Sequence, residues 1–403
     1  MSAGVDVPFA PPRPLEVGAW QAPGSVQGLA QKALVAGVVG ILATVAGFFT
    51  DKAQFFQSYL LGWVYCVSIA AGCLGLLMLH HMSRGAWGLP ARRIFEAGSR
   101  TLLPLFVLGL PLALGMQELY AWARPEAVAG NEILEAKKMW LSVPFFWGRY
   151  AFYFAVWIVL ARALSKLSVE QDGGGQVSRR MQVWSGPGLV IFALTLTFAA
   201  FDWLMSLMPE WFSTIYGVWL LVSSGLAGLA FLILVARWLS QQEPMSSAFH
   251  LGHFHDYGKL LLAFTMLWAY MSFSQFLIIW SANLPPEIPF YLARSKGGWQ
   301  FISALVFLGQ FVLPFIVLLS RDIKRRPAQL IKVALWILAI RWVDLYWNIA
   351  PAFHPERPLP HWLDLAALVG VGGIWVWLFA RELASRPLLP VNAPNLPEAL
   401  GHE

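Results

Sequence analysis

Polar residues interrupt this chain rarely and at near-regular intervals. Apolar runs lie near 31–49, 56–79, 101–122, 145–164, 186–207, 212–238, 259–281, 299–320, 328–350 and 362–381. Each is close to the ~20 residues that a helix needs to cross a hydrocarbon core, and short polar loops separate them. The pattern predicts about ten transmembrane helices and an all-α polytopic membrane fold. The first run is the least regular, being short and rich in Ala and Gly. The segment before it has almost no basic residues, unlike a signal peptide, so the run reads as a retained helix. Residues 1–30 hold Pro8, Pro11, Pro12, Pro14 and Pro23 without helical periodicity. They read as an extended arm suited to lie on a partner. The transmembrane domain is expected over 31–385, with an irregular tail over 386–403. Gly173-Gly174-Gly175 reads as a flexible loop. No loop is long enough for a soluble domain, and no internal repeat stands out.

The exceptions inside the apolar runs carry the chemistry. Asp202 interrupts the run 189–207, and an Asp near a bilayer's centre costs roughly 2.5–3.5 kcal/mol on insertion scales unless paired or wet. Glu118, Arg149, Arg341 and Asp344 lie at a similar depth in their own spans. At ~1.5 Å per residue, Asp202 is expected only about 8 Å inside Leu207. Arg341, Asp344 and Asn348 share one helix face at spacings of three and four. Thr195, Asp202 and Ser206 share another, and the seventh span adds Thr265, Ser272 and Gln275. Such stripes turn inward, away from lipid. The arrangement allows two overlapping readings. One is a set of ion pairs: Asp344 with Arg341, and Asp202 or Glu118 with Arg149. The other is a proton relay through the same carboxylates, bridged by hydroxyls and water.

Composition agrees with a bilayer protein. The chain is 58% hydrophobic and 12% charged, against about 25% charged in soluble domains, and its mean hydropathy is +0.60. The net charge of +6 follows topology. Assigned to alternate loops, nineteen Lys and Arg fall on the side holding both termini and seven on the other. By the positive-inside rule both termini are cytoplasmic. The basic residues are scattered over short loops, so nucleic acid is not an expected partner. Among the 21 tryptophans, Trp122, Trp140, Trp147, Trp203, Trp211, Trp280, Trp299, Trp347 and Trp362 gather at the outer ends of spans. This pattern suits an interfacial aromatic belt or a partner on that side.

A second polar group, His250, His253, His255, Asp256, Tyr257 and Lys259, sits at the cytoplasmic start of the seventh span. It reads as an ordinary interfacial loop, as a collector of protons by histidines titrating near neutrality, or as a metal site, which lacks a clear second helix to complete its ligand set. Cofactor ligands are scarce. Cys66 and Cys73 share one span and provide neither an iron–sulfur ligand set nor a haem-attachment motif. The eight histidines lie at span ends or in loops. No cofactor bound by this chain is expected, and no catalytic residue is assigned.

Two long stretches resemble a known family. Residues 201–217 read FDWLMSLMPEWFSTIYG, and 253–283 read HFHDYGKLLLAFTMLWAYMSFSQFLIIWSAN. Gly297-Gly298-Trp299 and the run from Arg341 to Trp347 follow. The chain resembles ActF, the second quinone-binding-type membrane subunit of alternative complex III, over roughly residues 30–385. That complex is a bacterial quinol:cytochrome c oxidoreductase unrelated to the cytochrome bc complexes. The resemblance implies the polysulfide-reductase (NrfD-like) membrane fold, with two four-helix bundles and flanking helices, in the bacterial cytoplasmic membrane. It implies partners: an NrfD-like sister subunit that oxidises quinol, an iron–sulfur subunit and c-type cytochrome subunits. Haem c and the iron–sulfur clusters then belong to those partners, while this subunit is non-catalytic and takes part in proton movement. Asp202, the 253–259 stretch, Gln275, Arg341 and Asp344 match the motifs by position; Glu118 and Arg149 rest on depth alone. Where the family pattern reads Asp-Pro-His, this chain has Met208-Pro209-Glu210, which leaves no histidine in that hairpin to act. Three rival functions follow. One is direct quinone binding, with His253, Asp256 and Tyr257 as the cytoplasmic-side headgroup residues. The others are secondary transport, which would show broken mid-membrane helices and an inverted repeat, and a purely structural anchor.

Overall fold

A computed structural model describes residues 16–401. Residues 1–15, half of the Pro-rich arm, and His402 lie outside the described residues. Ten long helices follow one another: α1 Gly24–Phe48, α2 Lys52–Ser83, α3 Arg92–Leu119, α4 Val143–Asp172, α5 Ser178–Trp203, α6 Tyr216–Leu239, α7 Leu251–Ala282, α8 Trp299–Leu319, α9 Pro327–Ile349 and α10 Trp362–Ala384. Among the described residues, nine are long and apolar enough to cross a membrane. The tenth, α9, has 23 residues, but Lys332, Arg341, Asp344 and Asn348 lower its apolarity. This is an all-α polytopic membrane protein.

The helices pack as two groups of four. α2 to α5 form the first, α6 to α9 the second, and α1 and α10 pair beside α2. The groups meet along α2 and α6, where small residues permit a close backbone approach. A Cβ on Gly72 would collide with the Ser224 carbonyl, and one on Gly228 would lie 2.8 Å from the Gly72 carbonyl carbon. α1 and α10 touch through Gly37 and Gly40 against Gly370 and Gly373 in the same way. Small-residue seams of this kind replace the hydrophobic driving force that lipid removes. α2 is consequently buried along nearly its whole length.

Four helix starts precede the hydropathy pattern by seven residues or more; α5 begins at Ser178 and α7 at Leu251, each eight residues before its apolar run. α1 begins at Gly24 instead of near residue 31, directly after Pro23, so the arm ends earlier than expected. α3 begins at Arg92, nine residues before the apolar run. Its charged first turns are helical and buried, because Arg92, Arg93 and Glu96 satisfy one another inside the bundle. α3 then breaks near Thr101 and becomes a 3-10 helix over Leu110–Gly115. Pro104 and Pro111 each remove a backbone donor there. Aromatic side chains take up neighbouring carbonyls: Trp63 Nε1 donates to Leu105 O (2.8 Å), Tyr150 Oη to Phe106 O (2.6 Å) and Tyr59 Oη to Leu108 O (2.7 Å). In α8 a π-helical segment spans Phe307–Val312, just before Pro314. Trp336 Nε1 donates to the Gly309 carbonyl at 2.8 Å. Both irregularities are therefore closed by protein donors, as a lipid environment demands.

The tail after Arg386 is irregular but packed. Leu388, Leu389, Leu396 and Leu400 are buried, Leu388 N donates to Trp20 O (2.7 Å) and Asn392 Nδ2 to Asp172 O (2.7 Å). It covers the end of the molecule where α1 begins and α10 finishes, called the basic end below. At the opposite, far end the α3–α4 connection folds over the first bundle as short helices, Pro125–Val128 and Glu132–Lys137.

Candidate functional site

In the first bundle Asp202 ends α5, one residue before the helix stops, and faces the second turn of α4. Arg149 Nε donates to Oδ2 (2.8 Å) and Nη2 to Oδ1 (2.7 Å), a two-point pairing of guanidinium and carboxylate. Tyr153 Oη adds a bond to Oδ2 (2.8 Å) and Trp140 Nε1 one to Oδ1 (3.1 Å). Arg149 also donates to Trp140 O, and its guanidinium lies 4.1 Å from the Trp140 ring centroid. Four donors thus occupy the two oxygens. The arrangement braces α4, α5 and the far-end loop. Ser206 donates to the Asp202 carbonyl (2.5 Å) instead of extending the polar chain. Thr195 is turned to Trp157, whose Nε1 donates to its hydroxyl at 2.8 Å.

Glu118 does not join this group. It pairs with Lys52 at 3.0 Å and is about one third exposed. The charges fall into three separate pairs, as in the ion-pair reading except that Glu118 takes Lys52: Lys52–Glu118, Arg149–Asp202 and Arg341–Asp344.

The second bundle holds the more open chemistry. Arg341 and Asp344, three apart on α9, form a fully buried ion pair. Trp268 Nε1 on α7 donates to Asp344 Oδ2 (3.1 Å), and Asn348 Nδ2 donates to Oδ1 (3.2 Å). Arg341 has two nitrogens, Nε and Nη2, without a hydrogen-bond partner, and its guanidinium lies 5.4 Å from the Trp219 ring centroid. Asp344 and Asn348 form the inner wall of a cleft of about 670 Å³ between α6, α7, α8 and α9. Ser272, Gln275, Tyr291 and Ser303 add polar atoms to that wall, while Phe273, Phe276 and Phe307 line its apolar mouth and are exposed. Ser213 donates to Gln275 (3.3 Å), whose amide donates to Tyr291 Oη (3.3 Å). Ser272 Oγ has no partner.

Other buried polar atoms without partners follow the same bundle toward the basic end: both amide atoms of Gln310 within the π segment of α8, and the Tyr257 hydroxyl near the start of α7. Each such group is costly in an apolar interior; the first bundle holds others, among them His80, His81 and Ser185, so what distinguishes the second is the amphipathic cleft beside Asp344.

The histidine group does not form one headgroup pocket. His253 Nδ1 accepts from the His250 amide (3.1 Å), and His250 Nε2 lies 3.0 Å from the Leu400 carbonyl under the tail. Asp256 and Lys259 are exposed and paired at 3.0 Å. His255 is partly buried with Nδ1 unpartnered. Among the described residues no group of His, Cys, Asp and Glu is placed to hold a metal ion. The amphipathic cleft open to the membrane lies at the far end, opposite the proposed His253, Asp256 and Tyr257 site.

Several residues escaped the sequence reading. Trp140, Tyr153 and Trp268 are direct partners of the two aspartates, although a belt reading had absorbed Trp140. Trp122, Trp203, Trp211 and Trp299 of the same set are buried. Arg294 lies in the far-end loop and has no carboxylate partner among the described residues. It donates to the carbonyls of Phe290 (2.7 Å), Trp347 (3.0 Å) and Asn348 (3.0 Å), so a cation sits at the C-terminus of α9,. Burial holds its guanidinium below the usual arginine range. At the basic end, Arg92 and Arg93 bind Glu96 (2.9 and 2.7 Å) and share Ser168, and Arg93 reaches Asp172. The Arg-Arg-x-x-Glu spacing was the available signal.

No protein-family model matches the chain, and no curated protein matches it. A functional reading therefore rests on the motifs and the geometry above.

Proposed function

We propose that this chain is a cofactor-free, non-catalytic integral subunit of a bacterial quinol:cytochrome c oxidoreductase of the alternative complex III type. In this reading it lies in the cytoplasmic membrane with the basic end inside, and its second bundle carries protons. One observation carries the proposal: Asp344, buried and paired with Arg341, lies on the wall of an amphipathic cleft whose mouth is lined by exposed aromatic residues. A carboxylate that pairs with a cation and borders an amphipathic cleft can exchange a proton with what enters that cleft. Gln310 and Tyr257 supply hydrogen-bonding stations toward the basic end. Asp202, by contrast, is committed to four donors and serves as a brace. The two long motifs that resemble the family, 201–217 and 253–283, end in these two bundles and support the same assignment.

The cleft also favours a second reading, direct binding of a quinol-type headgroup. Its apolar mouth suits an isoprenoid-bearing ring, and Gln275, Tyr291 and Asp344 offer donors and acceptors on the inner wall. In this reading the headgroup would sit toward the far end. A transporter is less well supported, because the irregular turns of α3 and α8 are sealed by Trp63, Tyr150 and Trp336.

Affinity purification through a tag on this chain tests the assignment. Co-purifying c-type cytochrome and iron–sulfur subunits, with quinol-dependent reduction of cytochrome c, are expected. Recovery of the chain alone, without haem absorbance, would contradict it.

A further inference from the structure

Near the basic end, α3, α4 and α10 part to leave a cleft of about 500 Å³. Four cations line it: Arg100, Arg162, Lys166 and Arg386. Among the described residues the only carboxylate on the wall is Glu382, which is already paired with Arg100. Arg386 donates to Ser165 through both its carbonyl (3.0 Å) and hydroxyl (2.5 Å). The nearest further carboxylate is Glu96, at 3.9 Å from Arg386, and it is held by Arg92 and Arg93. Arg162 and Lys166 make no hydrogen bond or ion pair among the described residues. They stand four apart on one helix face, a spacing at which like charges repel. Arg162 and Lys166 are exposed and unpaired beside Arg386, whose bonds to Ser165 leave its charge balanced only by Glu96, so an anion entering the cleft would relieve the repulsion among them. Burial also draws the Arg386 guanidinium below its usual range, which an added anion would relieve.

The rest of the wall is apolar. Leu103 and Pro104 of α3 and Ile158 of α4 continue from the cations along the membrane-facing surface, and Leu103 is exposed. A free phosphate would use the cations and leave this apolar continuation unmatched. A molecule with a phosphate head and acyl chains matches both. We propose that this cleft is a binding site for an acidic glycerophospholipid. Its phosphate sits between Arg162, Lys166 and Arg386, and its chains run along α3 and α4. Basic pockets between membrane helices at the cation-rich side recognise such headgroups. A lipid there would tie α10 to the first bundle, beside the buried Arg92–Glu96–Arg93 cluster.

The test is native mass spectrometry of the purified full-length protein in detergent, with phosphatidylglycerol, cardiolipin or phosphatidylcholine added after delipidation. The wild type should retain one acidic lipid and no phosphatidylcholine. Arg162→Gln/Lys166→Gln removes no protein–protein bond, so it should fold normally. It should retain acidic lipid about thirtyfold less well, the effect of two membrane-proximal cations at about 1 kcal/mol each. Arg237→Gln at the same end should match the wild type. Equal retention by the double variant, or equal binding of phosphatidylcholine, would overturn the site. Displacement of bound lipid by inorganic phosphate at the lipid's own concentration would overturn the lipid assignment and leave a free-anion site.

Discussion

Asp202 accepts from Arg149, Tyr153 and Trp140, so Asp202→Asn would leave the Arg149 guanidinium uncompensated between aromatic rings. Breaking one side of a buried pair costs roughly 3–5 kcal/mol. The expected outcome is a lower unfolding temperature and a poor yield of assembled protein. Proton movement per assembled complex should be unchanged. Normal assembly with lost proton movement would return Asp202 to the mechanism. The Arg341–Asp344 pair was legible because both partners sit on one helix at a spacing of three. Arg149 as the partner of Asp202 was half legible, since depth alone could not separate it from Glu118. Glu118 misled because α3 passes through a 3-10 segment just before it. That segment advances by three residues per turn in place of 3.6, and the following turn faces Lys52.

Glycine positions separate packing from propensity among the helices. At Gly72 a Cβ would strike the Ser224 backbone, and neither α2 nor α6 can shift without opening the seam between bundles. Gly72→Ala is expected to destabilise the protein by about 1–3 kcal/mol, as overpacking does. At Gly148, exposed on α4, nothing lies within 4 Å of a built Cβ, and Gly148→Ala is expected to gain up to about 1 kcal/mol. Thermal unfolding of both variants in one detergent checks the contrast; equal shifts would contradict the close approach of α2 and α6. Hydropathy located the apolar centre of every helix. It missed the first turns of α3, because Arg92, Arg93 and Glu96 look like loop residues until their mutual pairing is seen. The π segment of α8 was also hidden, since it depends on Trp336 reaching across from α9.

For the whole molecule, the predicted orientation has a simple check. Reporter fusions at Gly174 and after Arg386 should both report cytoplasmic, and an outer location for either would sink the ten-helix arrangement. The two bundles then divide their tasks. The first is tied by ion pairs, at the far end by Arg149–Asp202 and at the basic end by the Arg92–Glu96–Arg93 cluster. The second holds an amphipathic cleft beside Asp344. Sequence alone could not make that division, because both aspartates sit in apolar helices with polar neighbours on the same face. The decisive measurement is the proton-to-electron ratio of the complex in liposomes carrying Arg341→Gln/Asp344→Asn. Removing both charges avoids a stranded buried ion, so assembly should stay near wild type. The account predicts a reduced ratio with quinol oxidation still supported by the partner subunits. A wild-type ratio in a fully assembled complex would contradict a proton path through the second bundle.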